Sequence, residues 1–387
     1  MDLERRLGEI RNFLKRHMPL AESEVLNHYP NPLPSPYWEW ARELSMLSSE
    51  KLIKIENLDE FDGLSVDLKE YFLDLKELIK VPLKTPTGHT IPKELQVGMS
   101  EKKRHETSQI KSFLAPFKFN SFVDIGSGKG HLSKVLLHDL NGRSVCIDSD
   151  KTLQDSGHAQ IKKLTPELEN KITFKNQHFD LSSELEDRTV TILGLHCCGD
   201  LSTALIETHK KSDGALLNFG CCYHKSTQLN LCDSSRKDPI ELSFHALNLA
   251  TRSNRLIDQE TWRRRERVKI YRYILHMIQV DELGGEFESI GNAHHTDYDK
   301  SFREYVEIHA PRLSTLPLES LFETYMGSEK LKRLLSLEVI RSPLGRMVEL
   351  FILFDRAQSL NDSGRSVEVF ELFSRDLSPR NVAIFSQ

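Results

Sequence analysis

Phe122-Val123-Asp124-Ile125-Gly126-Ser127-Gly128-Lys129-Gly130-His131-Leu132 is the stretch that decides the fold. Residues 120–125 read as a short buried strand and residues 133–140 as the helix after it, so Gly126, Gly128 and Gly130 stand where strand turns into helix. Glycines there let backbone N–H groups at a helix N-terminus approach a bound group closely, and positive-φ turns cost little. The junction is expected to be a small-ligand site. A phosphate-cradling P-loop is excluded, because Val123 stands where its first glycine belongs and Gly130 where Ser or Thr must follow the lysine. A dinucleotide fingerprint fails as well: its third glycine comes later than Gly130 does.

Working outward, residues 143–147 form a second strand ending at Asp148, placed downstream of the loop where an acid bonds ribose hydroxyls. Residues 171–179 form a third strand ending at Asp180, a partner for an adenine amino group, with Phe179 or Leu181 over the ring. Residues 189–195 are the fourth strand, ending in His196-Cys197-Cys198-Gly199-Asp200, and residues 214–219 the fifth, ending in Gly220-Cys221-Cys222-Tyr223-His224. Helical spacing separates them, which implies a parallel sheet carrying its ligand on the C-terminal edge. Residues 367–373 and 381–385 are the last two strands, joined through Leu377-Ser378-Pro379-Arg380. So short a connection makes that pair antiparallel. The acid-x-Gly-x-Gly-x-Gly loop with a reversed last strand resembles S-adenosylmethionine (SAM) methyltransferases, in which Asp124 would accept from the methionine amino group.

The chain has 387 residues, 39% hydrophobic and 28% charged, enough for one large or two ordinary globular domains. A net charge of −5 argues against a surface that binds nucleic acid everywhere and leaves local basic patches open. Leu3, Leu7, Ile10, Phe13 and Leu14 share one helical face, and no apolar run nears the roughly 18 residues of a membrane span. A cytoplasmic or nuclear location is expected, with the six cysteines reduced. Residues 1–98 read as a helical N-terminal domain and 99–387 as the α/β domain, with a helical insertion over about 225–341. Within the insertion, Arg263, Arg264, Arg265, Arg267, Lys269 and Arg272 interleave with Trp262 and Tyr271. Such a helix suits an RNA backbone, or else a solvated face whose apolar side joins the core.

Met99-Ser100-x-Lys102-Lys103-x-His105-Glu106, the glycine loop, Leu195-His196-x-Cys198-Gly199-Asp200-Leu201, Gly220-Cys221-Cys222-Tyr223-His224 and Ser378-Pro379-Arg380-Asn381 together resemble one family. It is the methyltransferase-like family that includes the ribosomal RNA adenine dimethylase domain-containing proteins. The resemblance implies a SAM-dependent, Rossmann-like, seven-stranded methyltransferase sheet over residues 99–387. Amino-adenine methyltransferases carry an Asn/Asp-Pro-Pro-aromatic turn after the fourth strand, where this chain has His196-Cys197-Cys198-Gly199, so the acceptor does not carry over.

The expected cofactor site comprises His105, Asp124, Gly126, Ser127, Gly128, Gly130, His131, Asp148, Ser149, Asp180, Leu181 and His196. Methyl transfer needs the acceptor positioned behind the methyl carbon and sometimes a base. His196 and His224 are the candidate bases and Tyr223 a stacking or donating group. Lys103, Cys198, Asp200, Cys221 and Cys222 are candidate acceptor contacts. No metal is expected, because adjacent cysteines lack the spaced clip of zinc sites and neighbours on a strand point apart. The expected function is methyl transfer to RNA or protein, possibly of the translation machinery. The alternative is a non-catalytic module of the same fold that binds RNA or a partner protein.

Overall fold

A computed structural model describes residues 2–22, 24–31, 33–286 and 288–387; Met1, Ser23, Pro32 and Phe287 lie outside it. Seven strands form one sheet: β1 (Ser121–Ile125), β2 (Arg143–Asp148), β3 (Ile172–Asn176), β4 (Thr191–Cys198), β5 (Leu216–Cys221), β6 (Val367–Glu371) and β7 (Val382–Ser386). Their order is β3-β2-β1-β4-β5-β7-β6. The first five pair in parallel, and β7 lies antiparallel between β5 and β6. The order reverses at β1 and β4, which opens a crevice beyond their C-terminal ends. Several strand ends differ from the sequence reading. β3 stops at Asn176, whose side chain, like the backbone N–H of Gln177, bonds the Asp148 carbonyl, so residues 177–180 are a loop. β4 runs on through Cys198, β5 runs to Cys221, and β6 ends two residues earlier than expected, at Glu371.

The sheet holds because its helices bury matching apolar faces. The helix Glu101–Leu114, capped by Ser100, which accepts from the Lys103 N–H, sets Ile110 and Phe113 into a core with Leu132, Val135, Phe370 and Phe385. Phe113 meets Phe370 and Phe385 at ring separations of 4.9 and 5.1 Å, aromatic contacts that add to area burial.

Contacts divide the chain into two units, at boundaries other than the sequence reading's. One unit comprises Leu78–Arg255 and Arg346–Gln387 with the first turns up to Lys15; the other comprises Arg16–Glu77 and Leu256–Gly345. Residues 16–77 of the N-terminal region and the part of the insertion from Leu256 on thus form one helical unit. The reason is pairing distant in sequence: Asn57 exchanges two bonds with the Ile257 backbone, Tyr71 donates to the Ile340 carbonyl at 2.9 Å, and Glu56 holds Arg265. In this unit Trp262 and Tyr271 are buried, Lys269 pairs with Glu338 at 2.9 Å, and Arg272 donates to the Gly291 carbonyl at 2.9 Å. Arg263, Arg264 and Arg267 are the cations of that stretch on the exposed face. No helix among the described residues is long and apolar enough to cross a membrane.

Candidate functional site

The glycine junction is built from backbone conformations that side chains resist. Gly126, Gly128 and Gly130 have φ of 73°, 54° and 68°. A Cβ on Gly130 would also lie 3.0 Å from the Phe174 ring, so that glycine serves helix packing. The Gly126 and Ser127 N–H groups both donate to the Ile147 carbonyl, locking the loop to β2. Asp148, at the end of β2, accepts from the Gly128 N–H at 2.7 Å through one carboxylate oxygen and from the Asp150 N–H at 2.9 Å through the other. A carboxylate oxygen has two acceptor positions, so both keep capacity for a ligand.

Beside this junction lies a cleft of about 650 Å³ lined by Ile125, Gly126, Ile147, Asp148, Ser149, Gln177, His178, Phe179, Asp180, Leu181, Ser182, Cys198, Asp200 and Leu201. The volume falls within the range of small-molecule clefts, about 300–1,000 Å³. Seven of the expected residues meet here: Gly126, Asp148, Ser149, Asp180, Leu181, Cys198 and Asp200. Asp180 accepts from the Ser182 N–H at 2.8 Å and hydroxyl at 2.6 Å, bonds that hold its carboxyl below the usual range. Gln177, His178, Ser182 and Leu201 went unnoticed in the sequence; a strand ending at Asn176 would have exposed the first three as loop residues.

Asp124 lies beneath the loop rather than on the cleft wall. It is 2% exposed, accepts from the Ser133 hydroxyl at 3.0 Å, and burial pushes its carboxyl up to about 6. His131 opens the helix His131–Leu137; burial foremost, then Lys134, Lys103 and Lys129, holds its imidazole down at about 3. Its Nδ1 is buried without a hydrogen-bond partner among the described residues. Lys103 is close enough to act on both Asp124 and His131. His105 turns elsewhere, accepting from the Ser374 N–H at 3.0 Å.

The fourth strand ends in an irregularity with a purpose. Pairing with β5 slips between Leu195 and Cys197, and His196 takes φ of 63°, a bulge that re-aims its ring. His196 Nε2 meets Glu106 Oε1 at 2.7 Å, and Ser378 donates to the same oxygen at 2.7 Å. Burial works to raise the fully buried Glu106 carboxyl, but His196, Ser378 and Lys102 outweigh it and hold it low. Because an ionised carboxylate only accepts, Nε2 is the nitrogen that donates to Glu106, and in the neutral imidazole Nδ1 is then the acceptor. Glu106 Oε2 is buried with no hydrogen-bond partner among the described residues.

The following residues are stapled together. Asp200 accepts from the Thr227 N–H at 2.8 Å, the Thr227 hydroxyl at 2.6 Å and the Gln228 N–H at 3.1 Å. Arg356, 1% exposed, donates to Ser202 at 3.1 Å and reaches Gly199, Thr203 and Ser226. Its only sequence signal is an Asp355-Arg356 pair directly after the apolar run 350–354. Tyr223 does not reach the cleft: it is fully buried and donates to Glu349 at 3.1 Å, with burial holding its hydroxyl well above its usual range. His224 turns to Thr251, 3.1 Å from its Nδ1.

Cys198, Cys221 and Cys222 converge at the strand ends. Their sulfurs are 3.2, 3.2 and 3.7 Å apart. Cys197 points away, toward the Ile125 carbonyl at 3.7 Å. The expectation that adjacent cysteines diverge therefore holds for Cys197-Cys198 and fails for Cys221-Cys222, because Cys222 leaves the strand with φ of 48°. The Cys221 and Cys222 hydrogen bonds lower the Cys198 thiol to about 5, with hydrogen bonding from Cys221 the largest cause.

Residues 102–228 match a family model described as a methyltransferase domain. Among solved structures, the chain is similar to a geranyl diphosphate methyltransferase in complex with geranyl diphosphate and sinefungin, at 13% identity over 40% of this chain and 65% of that one, with a TM-score of 0.25. It is similar to geranyl diphosphate C-methyltransferase from Streptomyces coelicolor A3(2) with S-adenosyl-L-homocysteine, at 15% identity over 49% and 67%, with a TM-score of 0.25. It is also similar to coclaurine N-methyltransferase bound to N-methylheliamine, at 10% identity over 90% of each chain, with a TM-score of 0.27. Likeness at this level says nothing of the acceptor. The segment that matches a methyltransferase domain spans β1 to β5, and the sheet order closes on a reversed β7, the Rossmann-like arrangement expected of a seven-stranded methyltransferase sheet.

Proposed function

We propose that this chain methylates a macromolecular acceptor, RNA or protein, with SAM held across the tips of β1, β2 and β3. The carrying observation is that Gly126, Asp148 and Asp180 share one cleft wall. The residues fit the group: Asp148 keeps acceptor capacity for a diol, Leu181, 47% exposed, offers an apolar cover for the adenine, and Gly126 presents bare backbone to the cleft. When bound, SAM supplies a methyl group on a sulfonium centre to a nucleophile. Lys103 and the start of the helix His131–Leu137 would receive the carboxylate of the methionine end, and Asp124, buried beneath the loop, would act on the amino group through a bridging water. Gly128, Gly130, Ser127 and His131 shape that loop, and Ser149 extends the Asp148 wall.

At the acceptor end, Cys198 and Asp200 line the cleft, and His196 Nδ1, oriented by Glu106, takes the acceptor's proton. A macromolecular acceptor is supported by the presence of a second, helical unit in the chain, by its exposed Arg263, Arg264 and Arg267, and by the resemblance to the adenine dimethylase domain-containing proteins. The test is labelled methyl transfer from SAM into extract of cells lacking the protein, followed by RNase, protease and size fractionation. Label that enters RNA or protein only with active enzyme supports the proposal. Label confined to the low-mass fraction contradicts it.

A further inference from the structure

We propose that Cys198, Cys221 and Cys222 form a three-thiolate zinc site at the ends of β4 and β5. All three sulfurs lie within bonding reach of one point, being no more than 3.7 Å apart. Tetrahedral zinc with Zn–S bonds of about 2.3 Å sets its sulfurs about 3.8 Å apart. The 3.7 Å edge already has that length, and the two 3.2 Å edges need only sub-ångström opening.

Two backbone departures produce the convergence. The slip in β4 pairing at His196 sets Cys198 opposite Cys221, and the left-handed turn at Cys222 swings a second sulfur to the same side. A non-glycine residue at positive φ is uncommon and persists where its surroundings demand it. Buried cysteines that only fill space need no such arrangement, and Cys146, Cys197 and Cys232 lie outside the cluster. Soft thiolates favour zinc over magnesium or calcium. Lys225, near enough to act on Cys198 and Cys222, offsets the net charge of three thiolates around a divalent ion.

Three protein ligands leave a fourth position for water or an incoming donor, the arrangement of zinc sites that do more than brace a fold. Cys198 also lines the cleft, so that position is close to the acceptor end. Zinc would enter as the thiols release their protons; no oxidant is needed.

The test is independent of methyl transfer. Full-length protein is purified without chelator and its metal content measured, then the reduced apoprotein is titrated with zinc against a chromophoric chelator and with cobalt(II). The expected result is about one zinc per chain, thiolate-to-cobalt charge-transfer bands, and at least a tenfold loss of occupancy in Cys198→Ser and Cys222→Ser, with circular dichroism matching wild type. Wild-type protein that neither carries nor takes up zinc overturns the proposal whatever the variants do. So does full occupancy in both variants, or a Cys198–Cys221 or Cys198–Cys222 disulfide in the protein as purified.

Discussion

Asp124 shows how one residue can work against stability and, under the proposed function, for ligand binding. Burial raises its carboxyl from 3.8 to about 6, so its protonated form is the one the fold favours. The resulting stability is fully present below 3.8, the unfolded value, and is lost as pH rises through about 6. Asp124→Asn removes that loss, up to about 3 kcal/mol at neutral pH. The apo variant is expected to melt higher than wild type at pH 7 to 8, with the gap closing as pH falls from 6 to 4, while SAM no longer raises its melting temperature. Thermal scans across pH with and without SAM check this. Glu106 makes the opposite case. Glu106→Gln keeps its size but gives up the charge that orients His196, and is expected to slow single-turnover methylation about 10²-fold with SAM affinity within a factor of three. A variant with equal losses in rate and cofactor affinity would instead place Glu106 in cofactor binding.

Among the elements, β4 passes into the helix Asp200–Lys210 through a tight turn at Gly199. Its φ is 55° and a Cβ there would lie 2.6 Å from the Lys225 carbonyl. Gly199→Ala is therefore expected to destabilise by about 1–3 kcal/mol and to loosen residues 225–228, read as a lower denaturant midpoint and faster amide exchange there. The strands themselves were legible, because each is a short apolar run closed by turn residues, and the Leu377-Ser378-Pro379-Arg380 connection dictated the final reversal. What no residue type announces is a bulge at His196 or a left-handed Cys222. Those backbone choices decide that His196 meets Glu106 and that three sulfurs converge. Tyr223 read as a cleft aromatic because it follows the C-terminal end of β5; its true partner, Glu349, lies 126 residues away. That Gly126, Asp148 and Asp180 meet at one cleft was legible, since loop and acids repeat in strand register. The acceptor end was not, since its geometry depends on contacts made across the chain.

For the whole molecule, pairing of distant segments decides the division into units. Glu56 is buried and bound by both Arg265 amino groups, and Glu338, which burial would raise, is held at about 2 by Lys269 and Arg341. Arg265→Ala strands the Glu56 carboxylate and is expected to destabilise the helical unit by about 3–5 kcal/mol. Hydrogen exchange should rise in Ser49–Glu56 and Gln259–Leu283 while the SAM-induced thermal shift survives. An equal loss of protection throughout the sheet would mean that the two units unfold together. The most direct test of the account is isothermal titration of the purified chain with SAM, alongside Asp148→Ala. One site per chain in the wild type, weakened at least tenfold by the substitution, is the result predicted from the Asp148 bonds to the glycine loop. No heat of binding in the wild type, or equal affinity in the variant, would contradict it.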